Sequence, residues 1–232
     1  MTPETTMRDL KALGMRAICG SVVSDRQLFD STRWESFREL NDTALALAEE
    51  YKGFYIPGFH VHPDFVRESC EEIERMAKKG LRLIGELVPY FHNWRDYSRK
   101  DFSEILDVAE QYDMIVSFHS MGEDEMDKMV LEHPRLRFVA AHPGEYGEFC
   151  RHMERMRTSE NYYLDTSGYG IFRHGMLRHA IDLFGMERFL YGSDFPTCNP
   201  AMYLGGVLLD YTLTDTEKEY ILSRNAKTLL GL

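Results

Sequence analysis

The sequence predicts an α/β fold, a TIM-type (β/α) barrel that is incomplete or distorted at its first strand, and three observations carry that expectation. Short apolar runs alternate with longer amphipathic segments along the whole chain, the pattern of a parallel sheet covered by helices. The apolar runs are near-continuous, as strands buried on both faces require. No G-x-G-x-x-G or G-x-x-x-x-G-K-S/T loop follows the early strands, which disfavours a doubly wound nucleotide-binding sheet.

Taken in order, the chain opens on a short polar helix over 5–13. Strands are expected at 16–21, 54–60, 81–87, 114–119, 136–141, 162–166 and 188–192. The first long helix covers 34–51, where Phe37, Leu40, Ala44, Leu45 and Ala48 keep helical spacing. The next covers 65–79, with Cys70, Ile73 and Met76 on one stripe and Gly80 just past its last turn, the usual place for a helix-ending glycine. Further helices are expected at 102–111, 123–132, 146–157, 175–184 and 216–229. These seven strands are one short of a closed eight-stranded barrel, and the missing unit is the first. With no low-complexity linker, residues 1–232 read as a single barrel domain.

Composition narrows the function. A formal net charge of -11 argues against nucleic acid or an anionic membrane as partner. Four cysteines without a C-x-x-C pair, and a start without a secretory pattern, point to free thiols in the cytoplasm. No apolar stretch is long enough to span a bilayer.

In a (β/α) barrel the catalytic groups sit where strands end. Here Glu86 ends LRLIGE, His119 ends MIVSFH, His142 follows LRFVAA and Asp194 follows RFLYGS. Each alone has an ordinary structural reading, as a hydrogen-bonded histidine, an ion-pair partner or a helix cap. Four separate strands placing ligand types at the same end favour a metal site. Imidazole and carboxylate donors suit zinc, and also manganese, iron or nickel. A bound divalent cation lowers the pKa of its water towards neutrality.

FHSMG, AHPGE, YYLDTSG and above all LYGSDFP resemble the amidohydrolase-related ("amidohydrolase 2") family of the metal-dependent hydrolase superfamily. The order of GMRAICGS, YKGFYIPGFHVHPD and GLRLIGELVPY is similar too, so the resemblance covers nearly the whole chain. It implies a distorted TIM barrel, one zinc-like ion, and hydrolysis of C–N, C–O or P–O bonds, with a related branch performing non-oxidative decarboxylation. By that resemblance His119, His142 and Asp194 match the fifth-strand, sixth-strand and eighth-strand positions. Asp194 would then be both ligand and general base, with His142 beside it in the catalytic set. Glu86 stands where relatives place a bridging carboxylate or carboxylated lysine. The family's first-strand His-x-His has no counterpart at the start of this chain. The pair His60 and His62 is the alternative source of two ligands, since alternate strand residues share a face.

Tyr90, His92 and Trp94 follow Glu86 in an aromatic loop that would shape a substrate pocket, and Tyr169 and Arg173 could meet an anionic substrate. Glu145 and Glu148 are candidates to orient His142. His133, His152, His174 and His179 read as surface residues. The leading expectation is a metal-dependent hydrolase acting on a small molecule with an activated water. The alternatives are a metal-dependent decarboxylase on the same scaffold and a barrel without catalysis that serves as a binding subunit. A barrel open at one strand exposes two edges. Their cover is expected from a rearranged N-terminal segment, from closure of the flanking strands, or from a partner subunit, with a homo-oligomer favoured.

Overall fold

A computed structural model describes residues 2–23, 29–170 and 173–232. Helix α1 (Pro3–Ala12) precedes the first strand, with Thr2 as its cap. Seven strands follow: β1 (Ile18–Gly20), β2 (Tyr55–Phe59), β3 (Leu83–Leu87), β4 (Ile115–His119), β5 (Arg137–Ala141), β6 (Tyr162–Asp165) and β7 (Phe189–Leu190). They form one sheet in the order β1 to β7, and every neighbouring pair is parallel. Parallel neighbours need crossovers. These are supplied by α2 (Trp34–Glu50), α3 (Val66–Lys78), α4 (Lys100–Gln111), α5 (Glu123–Glu132), α6 (Tyr146–Thr158) and α7 (Met176–Phe184). The result is a curled barrel open between β1 and β7, with no ladder joining those two strands among the described residues.

The strand sequences explain their places. β3 (LIGEL), β4 (IVSFH) and β5 (RFVAA) are buried along most of their length, as central strands of a covered parallel sheet should be. Aromatic residues fill the space between sheet and helices, with Phe59, Phe102, Phe118, Phe138, Tyr162 and Phe189 almost wholly buried. α3 puts Ser69, Glu72, Ile73 and Met76 on its inner stripe. The buried Glu72 carboxylate is matched by Arg38 and Arg75 and by the Asn41 amide, as an acidic group away from water must be.

Segments of the chain itself stand at both rims of the gap. After β7 come α8 (Pro200–Leu208), α9 (Asp215–Glu219), a π turn over Tyr220–Arg224 and α10 (Asn225–Leu230). The π turn presents Ile221 O to Tyr191 N–H at 2.8 Å, and Asn225 Nδ2 donates to Phe189 O at 2.7 Å. The β7 edge therefore ends against the C-terminal helical segment, a cover that the sequence did not bring into view. At the other rim, Ile18 packs on a cluster of Met7, Leu10, Ala44 and Phe54, and Phe195 from the segment after β7 packs on the same cluster. Side chains from the two rims thus share one cluster across the gap. No helix among the described residues is long and apolar enough to cross a membrane.

Candidate metal centre

Three strands in succession deliver one polar side chain each. Glu86 lies in β3 at a register shift between Ile84 and Leu87, the kind of irregularity that re-aims a side chain beside a site. His119 is the last residue of β4, and its carbonyl accepts a hydrogen bond from the buried Tyr97 hydroxyl at 2.8 Å. His142 directly follows β5 in a left-handed conformation, and its N–H donates to Asp165 Oδ1 at 3.0 Å.

The side chains converge. His119 Nδ1 is 3.3 Å from Glu86 Oε1, His142 Nε2 is 3.0 Å from His119 Nδ1, and His142 Nε2 is 3.8 Å from Glu86 Oε1. One ligand atom from each of the three lies within 4.8 Å of the others. One carboxylate and two imidazoles on rigid strand ends fit a divalent cation that accepts nitrogen and oxygen donors.

Asp194 stands beside this set but outside it. Burial pushes its carboxyl above the ordinary value, the His142 imidazole opposes that shift, and the Glu86 carboxylate adds to it. Both histidines and Glu86 are thus within electrostatic reach of Asp194. The Cys198 Sγ lies 3.5 Å from Asp194 Oδ2.

The expected alternative ligands take another place. His60 and His62 are almost fully buried and belong to no candidate metal group among the described residues. The physical reason is that their rings serve the backbone. His60 Nε2–H donates to Val22 O and His62 Nε2–H to His92 O, each at 2.8 Å, while His62 Nδ1 accepts from Asp64 N–H.

The aromatic loop divides. Tyr90 stands at the site, its ring centroid 5.1 Å from that of His119 at a steep angle. His92 and Trp94 do not: His92 packs among Phe29, Phe37 and His60, and Trp94 among His62, Tyr97 and Phe102. Both are core side chains, because the turn at Pro89–Phe91 sends the following residues inward. Tyr169 is largely exposed and its carbonyl accepts from Gly144 N–H. Arg173 pairs with the Glu145 carboxylate and donates to Gly144 O at 2.7 Å, so its charge braces the loop after His142. Glu145 and Glu148 form the capping box of α6 and leave the orientation of His142 to other groups. His174 and His179 are exposed as expected. His133 and His152 are buried instead, held by Ser103 and by the Tyr162 hydroxyl respectively.

Two residues without an assigned role in the sequence reading stand behind His142. Ser167 Oγ is 2.9 Å from His142 Nδ1 and 2.6 Å from Asp165 Oδ1. Burial raises the Asp165 carboxyl above its ordinary value. The available signal was spacing: Asp165 and Ser167 are alternate residues at the end of β6, and so share a face.

A family model described as amidohydrolase matches residues 20–232. No curated protein sequence matches the chain. Among solved structures, 2,6-dihydroxybenzoate decarboxylase from Rhizobium superposes with a TM-score of 0.80 at 16% identity, covering 100% of this chain and 88% of that one. A dihydroxybenzoic acid decarboxylase from Polaromonas sp. JS666, with bound manganese and the inhibitor 2-nitroresorcinol, gives 0.72 at 17% identity, with coverage of 100% and 86%. A Staphylococcus aureus protein described as an amidohydrolase gives 0.77 at 18% identity, with coverage of 99% and 91%.

Proposed function

This chain belongs to the amidohydrolase family and is an enzyme of that superfamily, and from this premise we propose that it is a metal-dependent hydrolase of a small-molecule substrate. The observation that carries the reading is the convergence of Glu86, His119 and His142 within 4.8 Å, with Asp194 beside them. Glu86 Oε1, His119 Nδ1 and His142 Nε2 are the atoms that would hold a divalent cation, zinc or manganese by their chemistry. Such an ion, when bound, polarises a substrate carbonyl or phosphoryl oxygen and lowers the pKa of a water.

Asp194 takes the proton from the attacking water at a carboxylate oxygen. A carboxyl pushed above its ordinary value is a better base near neutrality than an unperturbed one. The Tyr90 ring, 5.1 Å from that of His119 and steeply inclined to it, would form one wall of the substrate space.

A second reading draws on the solved structures, two of the three described being aromatic-acid decarboxylases. In that chemistry the carboxylate leaves as carbon dioxide, the C–C bonding pair stays on the substrate carbon, and the acid form of Asp194 supplies that carbon with a proton. The test is an assay of purified protein loaded with zinc or manganese. Hydrolysis of amides, esters and lactones is measured beside carbon dioxide release from 2,6-dihydroxybenzoate. Metal-dependent turnover that falls about 100-fold or more in Asp194→Asn supports the shared machinery, and the active substrate class selects the reaction. A wild-type protein that binds neither metal rejects both readings.

A further inference from the structure

We infer that Asp165 and Ser167 are positioning residues that lock His142 in the tautomer with its proton on Nδ1, leaving the Nε2 lone pair aimed at His119 and Glu86. The inference rests on the reading of Glu86, His119 and His142 as metal donors, and its evidence lies on the opposite side of the imidazole from those donors.

Hydrogen bonds set the direction of the relay. Asp165 Oδ1 accepts the His142 N–H at 3.0 Å and the Ser167 N–H at 2.9 Å. With two N–H groups already pointing at it, Oδ1 is an acceptor towards Ser167 Oγ as well, at 2.6 Å. The single hydroxyl proton of Ser167 is therefore spent on Asp165. Towards His142 Nδ1, 2.9 Å away, Ser167 Oγ can only accept, so Nδ1 carries the hydrogen. Nε2 is then bare, and this is the nitrogen 3.0 Å from His119 Nδ1 and 3.8 Å from Glu86 Oε1. A histidine ligand whose other nitrogen donates outward to a fixed acceptor is held in tautomer and in ring orientation. Here a serine stands between the imidazole and the carboxylate.

The surrounding backbone is shaped to admit this arrangement. Gly168 has φ +59°, and a Cβ there would come within 2.2 Å of His142 Nδ1. Gly192 faces the other end of the relay, where a Cβ would come within 2.2 Å of Asp165 Oδ2. Asp165, Ser167 and Gly168 of the DTSG run thus form one cradle: acceptor, bridge and space for the ring. Gly192 of YGSD keeps the segment bearing Asp194 clear of that cradle. Ser167 is 1% exposed, so water does not compete for its hydroxyl.

The test is spectroscopic. Nitrogen-15 histidine labelling of the metal-free chain at about pH 8, where ordinary imidazoles are neutral, reports which ring nitrogen is protonated, and the His142→Gln spectrum identifies the resonance. The expected result is Nδ1–H at His142 in the wild type and loss of that preference in Ser167→Ala. Manganese binding, measured by competition titration, is expected to weaken about 10–100-fold in Ser167→Ala. An Nε2–H form in the wild type overturns the relay, and needs no variant to fold. Equal manganese affinity in wild type and Ser167→Ala overturns the positioning role. A wild type that holds the Nδ1–H form yet binds no manganese supports the relay and rejects the metal reading, so the two failures are distinct.

Discussion

The side-chain amide of Asn225 donates to Phe189 O at 2.7 Å, and the same nitrogen donates to Met186 O, also at 2.7 Å. One residue of the C-terminal helix therefore holds a carbonyl of the strand that borders the barrel gap and another of the turn just before it. A strand edge left bare invites pairing with another chain, and here the invitation is withdrawn from inside. Asn225→Ala removes this donor from both carbonyls, and a loss of about 1–3 kcal/mol is expected in urea unfolding. Hydrogen exchange at Tyr191, whose N–H donates to Ile221 O, should quicken with it. Unchanged stability and unchanged exchange would show that the edge is protected by something else.

Removing a donor from the centre should remove the ion. His119→Ala and His142→Ala are each expected to abolish tight zinc or manganese binding, since each deletes one of three converging atoms. His179→Ala, at an exposed position on α7, is the control and should match the wild type. Metal content measured after gel filtration checks this, and three equal values would defeat the assignment.

Acid should loosen the protein over a defined window. Burial pushes the His92 and His152 imidazoles down to about 3, and it lowers His60 and His62 as well. Unfolding returns them towards the ordinary imidazole value of about 6.5. Between those limits the unfolded chain binds more protons than the folded one. Stability is therefore full above about 6.5 and declines as pH falls towards 3, with His92 and His152 each contributing about 1.4 kcal/mol per pH unit inside the window. Urea midpoints from pH 7.5 down to 4.5 should fall steadily. His92→Phe keeps the aromatic packing and should flatten the slope.

Gly192→Ala is expected to cost about 1–3 kcal/mol by overpacking, although it adds only one methyl group. The Asp165 carboxylate oxygen it would strike belongs to a group whose other oxygen is held by three hydrogen bonds. The same change should weaken manganese binding through Asp165, whereas Gly205→Ala, where an added Cβ meets nothing within 4 Å, should leave binding intact.

How far the sequence could be read follows from these particulars. All seven strands and the alternation were legible because strands covered on both faces must be apolar throughout, and such runs stand out. α8 was not, since PAMYLGGVL is apolar on every side and has no polar face to reveal a helical period. Glu86, His119, His142 and Asp194 were legible as strand-end residues of one chemical kind. The sequence shows Asp165 and Ser167 without their role, because a buried aspartate acts here through a hydroxyl whose partner lies 25 residues away. Helix and loop patterns place His133 and His152 at the surface. Their burial depends on partners in other elements, Ser103 and Tyr162, which helical spacing alone does not disclose.

The order of strands carries a consequence for how activity is lost. The three converging donors come from β3, β4 and the end of β5, the middle of a seven-stranded sheet, whereas Asp194 follows β7 at its border. Borders open more readily than centres in native proteins. A slow heat or urea ramp should therefore inactivate the enzyme in two stages. Turnover fades first, as the segment carrying Asp194 detaches. The ion is released only later, when the central strands separate.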